Sequence, residues 1–361
     1  MAMLVSPRLL RRGLELFALI SALGFGGLLL YGNNLVTFLR AMLSLQWGWV
    51  AVGVGLASLD WVGGGLRLWV LTRHVHPRAT FTSSVIASGL NTWGSYLTPS
   101  QTGGGPIMIY ALKRYGVPLP EATISSLMSF VATVAFFALA GPAALLLGAG
   151  RSLERHGILG ESFTLYDLFR LSLAGFVLIG LVMIALFVFP EAGRRLAQHL
   201  VTLAERRKSA RLAGAVENLR QGIDRSHECL VAFFRGRGWV ALAAAVLLSV
   251  PTFGNRLAAG YVVLRMLGIH AHFVDVVLLQ TLITFLLYFA PTPGGSGLAE
   301  VLSAAVMSIY VPRPLTPSYI LLWRVVTSYL TVAVGSAIFW RWLKGAEQRA
   351  EASVATPTRA E

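Results

Sequence analysis

Apolar residues run along this chain in long blocks separated by short polar stretches, and the block lengths predict helices that cross a bilayer. A span needs roughly 20 mostly apolar residues, which selects six blocks at about 14–33, 47–72, 121–148, 168–190, 237–266 and 317–340. The first follows the pair Arg11-Arg12. It belongs to an uncharged run from Leu16 to Leu39, which is too long for the core of a cleavable signal and reads as a membrane helix.

Two further apolar stretches are interrupted. Ala79 to Leu112 carries no charge but holds Pro99 and the run Gly103-Gly104-Gly105-Pro106. Val276 to Ile309 carries only Glu300 and is broken by Pro291, Pro293, Gly294, Gly295 and Gly297. Proline and glycine at such positions break a helix. Each stretch is therefore expected to form two short helices around a turn, as a re-entrant hairpin. Irregular backbone at membrane depth must be buried in protein or line a wet cavity, because lipid cannot pair its N–H and C=O groups.

Composition agrees with this reading. Hydrophobic residues make up 55% and charged residues 13%, with a mean hydropathy of +0.68, which argues against a soluble enzyme. The net charge of +14 would suggest nucleic acid in a soluble protein, but here it bears on sidedness. With a cytoplasmic N-terminus, 21 Lys and Arg fall on the inner side and 6 on the outer, a positive-inside pattern that predicts both termini in the cytoplasm. One cysteine, Cys229, cannot form an internal disulfide. No cysteine or histidine cluster suggests a metal, and neither cofactor nor nucleic acid is expected.

The two broken stretches match without a gap at an offset of 192: Phe81 on Phe273, Tyr96 on Tyr288, Pro99 on Pro291, Gly103 on Gly295 and Gly105 on Gly297. Each half then holds three crossings and one hairpin, so the second half must be inverted relative to the first. Inverted repeats place binding sites where broken helices meet. The fold class expected is an all-α polytopic membrane protein with six full transmembrane helices and two re-entrant broken-helix hairpins in inverted repeats. Residues 10–150 would be the first repeat and 168–342 the second. A cytoplasmic amphipathic segment would occupy 191–236, and 343–361 would be a disordered cytoplasmic tail.

Ionisable groups in hydrocarbon are expensive and mark function or pairing. Those within or near the apolar segments are Asp60, Arg67, Arg256, Asp275, Glu300 and Arg324. Arg67 either snorkels to the inner interface or faces a site. Glu300 and Arg324 either form a structural pair or face a ligand. Arg256 or Arg324 could meet a phosphate, with Tyr96, Tyr288 and Tyr329 adding hydroxyls. A buried Glu300 could also respond to protons. No nucleophile, paired carboxylate or nucleotide-binding motif suggests an enzyme.

The run Pro291-Thr-Pro-Gly-Gly-Ser-Gly-Leu-Ala-Glu300, with Arg324 and Tyr329, resembles the second half of the lysylphosphatidylglycerol synthase transmembrane-region family, the flippase-like UPF0104 proteins. Asn91, Pro99 and Gly103 to Pro106 resemble its first-half motif, and Arg67 a frequent arginine of its second helix. Many members carry an acidic Gly-Glu in the first motif, where this chain has Gln101-Thr-Gly-Gly-Gly. The resemblance implies translocation of an anionic phospholipid or a polyprenyl-phosphate-linked lipid across the cytoplasmic membrane. The alternatives are a small-solute secondary transporter, or an accessory protein for a separate lipid-modifying enzyme. With about 20 residues after the last span, no aminoacyltransferase domain is expected. The binding or gating residues expected are Arg67, Asn91, Tyr96, Pro99, Gly103, Gly104, Gly105, Arg256, Tyr288, Pro291, Pro293, Gly294, Gly295, Gly297, Glu300, Arg324 and Tyr329.

Overall fold

A computed structural model describes residues 7–31, 35–146, 231–234 and 236–355, with scattered positions between 167 and 182. Among these residues the protein is helical and contains no strand. The helices are α1 (Pro7–Tyr31), α2 (Leu35–Leu43), α3 (Trp47–Val75), α4 (Phe81–Leu97), α5 (Gly104–Arg114), α6 (Leu119–Leu146), α7 (Gly238–Met266), α8 (Phe273–Tyr288), α9 (Leu298–Met307), α10 (Thr316–Arg324) and α11 (Leu330–Ala355). Five stretches are long and apolar enough to cross a membrane: Leu10–Leu30, Trp47–Val75, Leu119–Ala143, Gly238–Met266 and Arg313–Trp342. The expected span at 168–190 lies largely outside the described residues, although those described between 167 and 182 are helical. Cys229 and nearly all of the segment 191–236 also lie outside them.

Three elements depart from the sequence reading. Helix α1 begins at Pro7 rather than near residue 14, with proline in its first turn, where no N–H is needed. The short helix α2 was not anticipated. Helix α11 runs on to Ala355, through much of the tail expected to be disordered. The run from Ala346 to Ala355 is rich in Ala, Glu, Gln and Arg, all good helix formers, and it extends a helix already nucleated by the membrane span.

Helices α3 and α7 form the central packed pair, and α3 also lies against α4. Small residues let the backbones close. A Cβ on Gly65 would sit 2.6 Å from the Cα of Val85, and one on Gly63 would sit 3.3 Å from Thr252 Oγ1. In lipid, where water does not drive helices together, such close approach supplies the van der Waals contact that does.

The two broken stretches form the hairpins expected. Helices α4 and α5 have 17 and 11 residues, and α8 and α9 have 16 and 10. At 1.5 Å per residue the longest of them reaches only about 26 Å, less than the roughly 30 Å of a hydrocarbon core. Helix α4 starts at Phe81 and α8 at Phe273, the offset of 192 found in the sequence.

The turns themselves align differently. Pro99–Gln101 and Pro293–Gly295 each form one short 3-10 turn, an offset of 194. Each follows a threonine, Thr98 or Thr292, held extended as the residue before proline prefers. Left-handed backbone occurs at Ser100 (φ 49°) and Gln101 (φ 57°), and correspondingly at Gly294 (58°) and Gly295 (66°). Glycine enters this region freely, whereas a side chain there costs about 1–2 kcal/mol. The first turn thus carries two strained polar side chains where the second carries none.

Candidate functional site

The turns touch. The Ser100 N–H donates to the Ala290 carbonyl at 3.2 Å, and a Cβ on Gly294 would lie 3.1 Å from the Tyr96 carbonyl oxygen. Each turn also has a local side-chain bond. Thr98 Oγ1 accepts from Gly103 N at 2.8 Å, and Gly297 N donates to Glu300 Oε2 at 2.7 Å. Gly103 and Gly104 are buried in the first hairpin, where a Cβ on Gly104 would sit 2.7 Å from the Asn91 carbonyl oxygen.

Beside this junction lies a cavity of about 430 Å³. Of the residues expected at a site, Arg67, Asn91, Tyr96, Gly105, Arg256 and Tyr288 line it. The additional lining is mostly hydroxyl and amide. Four polar stripes at helical spacing converge there: Ser88, Asn91, Thr92 and Ser95 on α4; Ser126, Ser129 and Thr133 on α6; Thr252 and Arg256 on α7; and Asp60 and Arg67 on α3. Residues within each stripe recur at three, four or seven, with Asn91 and Thr92 adjacent on α4, so each stripe occupies one helix face. Uncharged hydroxyls within apolar helices give little contrast in a hydropathy reading. Their helical spacing was nevertheless a signal in the sequence, and the sequence reading did not use it.

Three charged side chains face the cavity among the described residues. Arg256 makes a two-pronged pair with Asp60, Nε to Oδ1 at 3.1 Å and an outer nitrogen to Oδ2 at 2.9 Å, and also donates to Thr92 Oγ1 at 3.3 Å. This fork geometry fixes both groups. Arg67 is different. It is only 5% exposed, so it does not snorkel. Its outer nitrogens donate to Thr133 Oγ1 at 3.0 Å, Ser249 Oγ at 3.2 Å and Ser129 Oγ at 3.1 Å. No carboxylate among the described residues lies in ion-pair contact with it, and its Nε–H has no hydrogen-bond partner there. A buried guanidinium held by neutral oxygens retains its charge for an anion.

Glu300 and Arg324 lie apart from this cavity. They form an ion pair at 3.0 Å, with 0% and 2% of their side chains exposed. Arg324 also donates to the Gly294 carbonyl and to the hydroxyls of Ser21, Ser296 and Ser328, and it lies over the rings of Phe17 and Tyr329. The pair therefore ties α1, the second turn, α9 and α10 together, which is the structural arrangement considered for it. Tyr329 packs on Phe17 at 5.9 Å and does not line the large cavity. Neither do Pro99, Pro291, Pro293, Gly294, Gly295 or Gly297, which shape the turns.

A smaller hollow of about 60 Å³ beside Arg324 shares Tyr96, Gln101, Arg256 and Tyr288 with the large one. The Tyr96 hydroxyl, expected to be available to a ligand, donates instead to the Thr327 carbonyl at 2.7 Å. Thr327 lies in a π-helical turn, Val325–Tyr329, between α10 and α11. Tyr96, Gln101, Arg256 and Tyr288 thus lie between the two hollows, each lining both. The large cavity has an exposed rim: Ser100, Thr102 and Phe130 are its lining residues open to the outside. Phe130 is 51% exposed on a membrane-length helix, so one side of the mouth is apolar.

Broken helices meeting at a buried polar cavity define a polytopic helical membrane protein with an internal site. The chain belongs to the family described as the lysylphosphatidylglycerol synthase TM region, whose model matches residues 16–335. It is also similar to a UPF0104 membrane protein of Archaeoglobus fulgidus, with 21% identity over 297 residues covering 81% of this chain and 85% of the relative.

Proposed function

We propose that this protein moves an anionic lipid across the membrane, seating the headgroup in the cavity beside the two turns while the acyl chains stay in the bilayer. The observation that carries the reading is Arg67: buried, without a carboxylate partner among the described residues, and facing a polar cavity of about 430 Å³. That volume is within the range of roughly 300–1,000 Å³ usual for ligand sites. The mouth supports a lipid over a free solute. Ser100 and Thr102 give it a polar side, and Phe130 gives it an apolar side on which a chain can lie.

In this reading the chain is a transporter rather than an enzyme. It is placed in the cytoplasmic membrane with both termini inside, as the distribution of Lys and Arg favours. Its partner is a phospholipid or a polyprenyl-phosphate-linked lipid. The test is movement of phosphatidylglycerol labelled on an acyl chain in proteoliposomes of the purified protein. Wild type should speed movement over empty vesicles, and Arg67→Met should abolish the gain. Equal rates in protein-containing and empty vesicles would refute the proposal and favour an accessory role.

A further inference from the structure

Resting on that reading, we infer that the cavity selects lipids whose phosphate carries an uncharged, hydroxylated headgroup, such as glycerol or a sugar, and excludes headgroups bearing an ammonium. The balance of charge is the first ground. With Asp60, Arg67 and Arg256 ionised, the charged residues that line the cavity among the described residues sum to one positive charge. Asp60 is the one carboxylate lining the cavity among the described residues, and both its oxygens are held by Arg256, so an ammonium finds no unengaged counter-charge there.

Aromatic faces are the second ground. Cations are also recognised over aromatic rings. Two of the rings in the cavity wall already have cations over them: Arg256 lies 6.0 Å from the centre of Tyr96 and 5.9 Å from that of Phe253, and Arg67 lies 5.5 Å from that of Phe253. A further cation brought to either ring would meet a guanidinium at close range.

The neutral lining is the third. The hydroxyls and amides on α4 and α6 can both donate and accept, which suits the hydroxyls of glycerol or a sugar. Arg67 supplies a point of attraction for the phosphate. Aminoacylated lipids would place their ammonium in this positive pocket.

The test uses wild-type protein in proteoliposomes with acyl-labelled phosphatidylglycerol, phosphatidylinositol, lysylphosphatidylglycerol and phosphatidylethanolamine, and separately a mannosyl phosphopolyprenol. The first two should move at least tenfold faster than the two amine-bearing lipids. Faster movement of the polyprenol than of the phospholipids would assign the headgroup to a polyprenyl source. Equal rates for amine-bearing and amine-free lipids would overturn the inference while leaving translocation intact. If no lipid moves, translocation itself fails. Retention of the same lipids by detergent-solubilised protein then decides the headgroup question: a preference for amine-free lipids upholds the inference, and equal retention overturns it. Asn91→Asp, which adds a carboxylate with little change of shape, should reduce the discrimination at least threefold, and unchanged discrimination would count against the charge mechanism.

Discussion

The backbone N–H of Ser100 donates to the carbonyl of Ala290 at 3.2 Å, so two turns 190 residues apart in sequence are joined by a main-chain bond. A double variant, Ser100→Cys with Ala290→Cys in a Cys229→Ala background, should form an internal disulfide on mild oxidation. Such a bond requires Cα atoms within about 7 Å, and main-chain partners meet that distance. Mass spectrometry of the digested protein reads the crosslink. Its absence, with both thiols reactive, would mean the turns are apart.

The two buried arginines should respond oppositely to removal. Arg324→Met leaves Glu300 buried without its cation, which costs about 3–5 kcal/mol, and thermal unfolding in detergent should show a large loss. Adding Glu300→Gln should recover part of it. Arg67→Met leaves no carboxylate stranded, so its unfolding temperature should stay close to wild type while lipid movement is lost. Equal destabilisation by the two substitutions would make Arg67 a structural residue.

Much of the architecture was legible in the sequence because proline, glycine and an absence of charge act locally. Phe81 and Phe273 both begin helices at the expected offset, and the turns follow Thr98 and Thr292 as their prolines require. Inside the turns the match failed by two residues. Ser100 and Gln101 adopt the left-handed backbone that Gly294 and Gly295 adopt, and sequence identity gives no sign that a serine and a glutamine will do so. Pairing was less legible. Asp60 and Arg67 share a face of α3, yet Asp60 reaches across to Arg256 on α7, and Arg67 finds hydroxyls on α6 and α7. Which of several intramembrane arginines keeps an open valence depends on helix packing, which no local pattern records.

Gly104 should matter through its neighbours. A Cβ there would meet Ser95 Oγ at 2.2 Å and the Asn91 carbonyl oxygen at 2.7 Å, and both residues line the cavity. Gly104→Ala should therefore cost about 1–3 kcal/mol by overpacking, and lipid movement should fall as α4 shifts. Thermal unfolding and proteoliposome flux measured together check this. Full activity with unchanged stability would show that the hairpin has slack.

Tyr96→Phe removes the bond from the Tyr96 hydroxyl to the Thr327 carbonyl, worth about 1 kcal/mol, and should loosen the side chains that lie between the two hollows. With Thr284→Cys as a reporter in the smaller hollow and Cys229→Ala as background, reaction with a water-soluble thiol reagent should quicken about fivefold. An unchanged rate would mean that Tyr96 is not what closes the passage.

The most direct measurement is native mass spectrometry of the purified protein with its co-purified lipid, comparing wild type with Arg67→Met. Wild type should retain an anionic lipid, and the variant should lose it while remaining folded. The same lipid carried at the same occupancy by both proteins would contradict the assignment of Arg67 as the anion-holding group of the cavity.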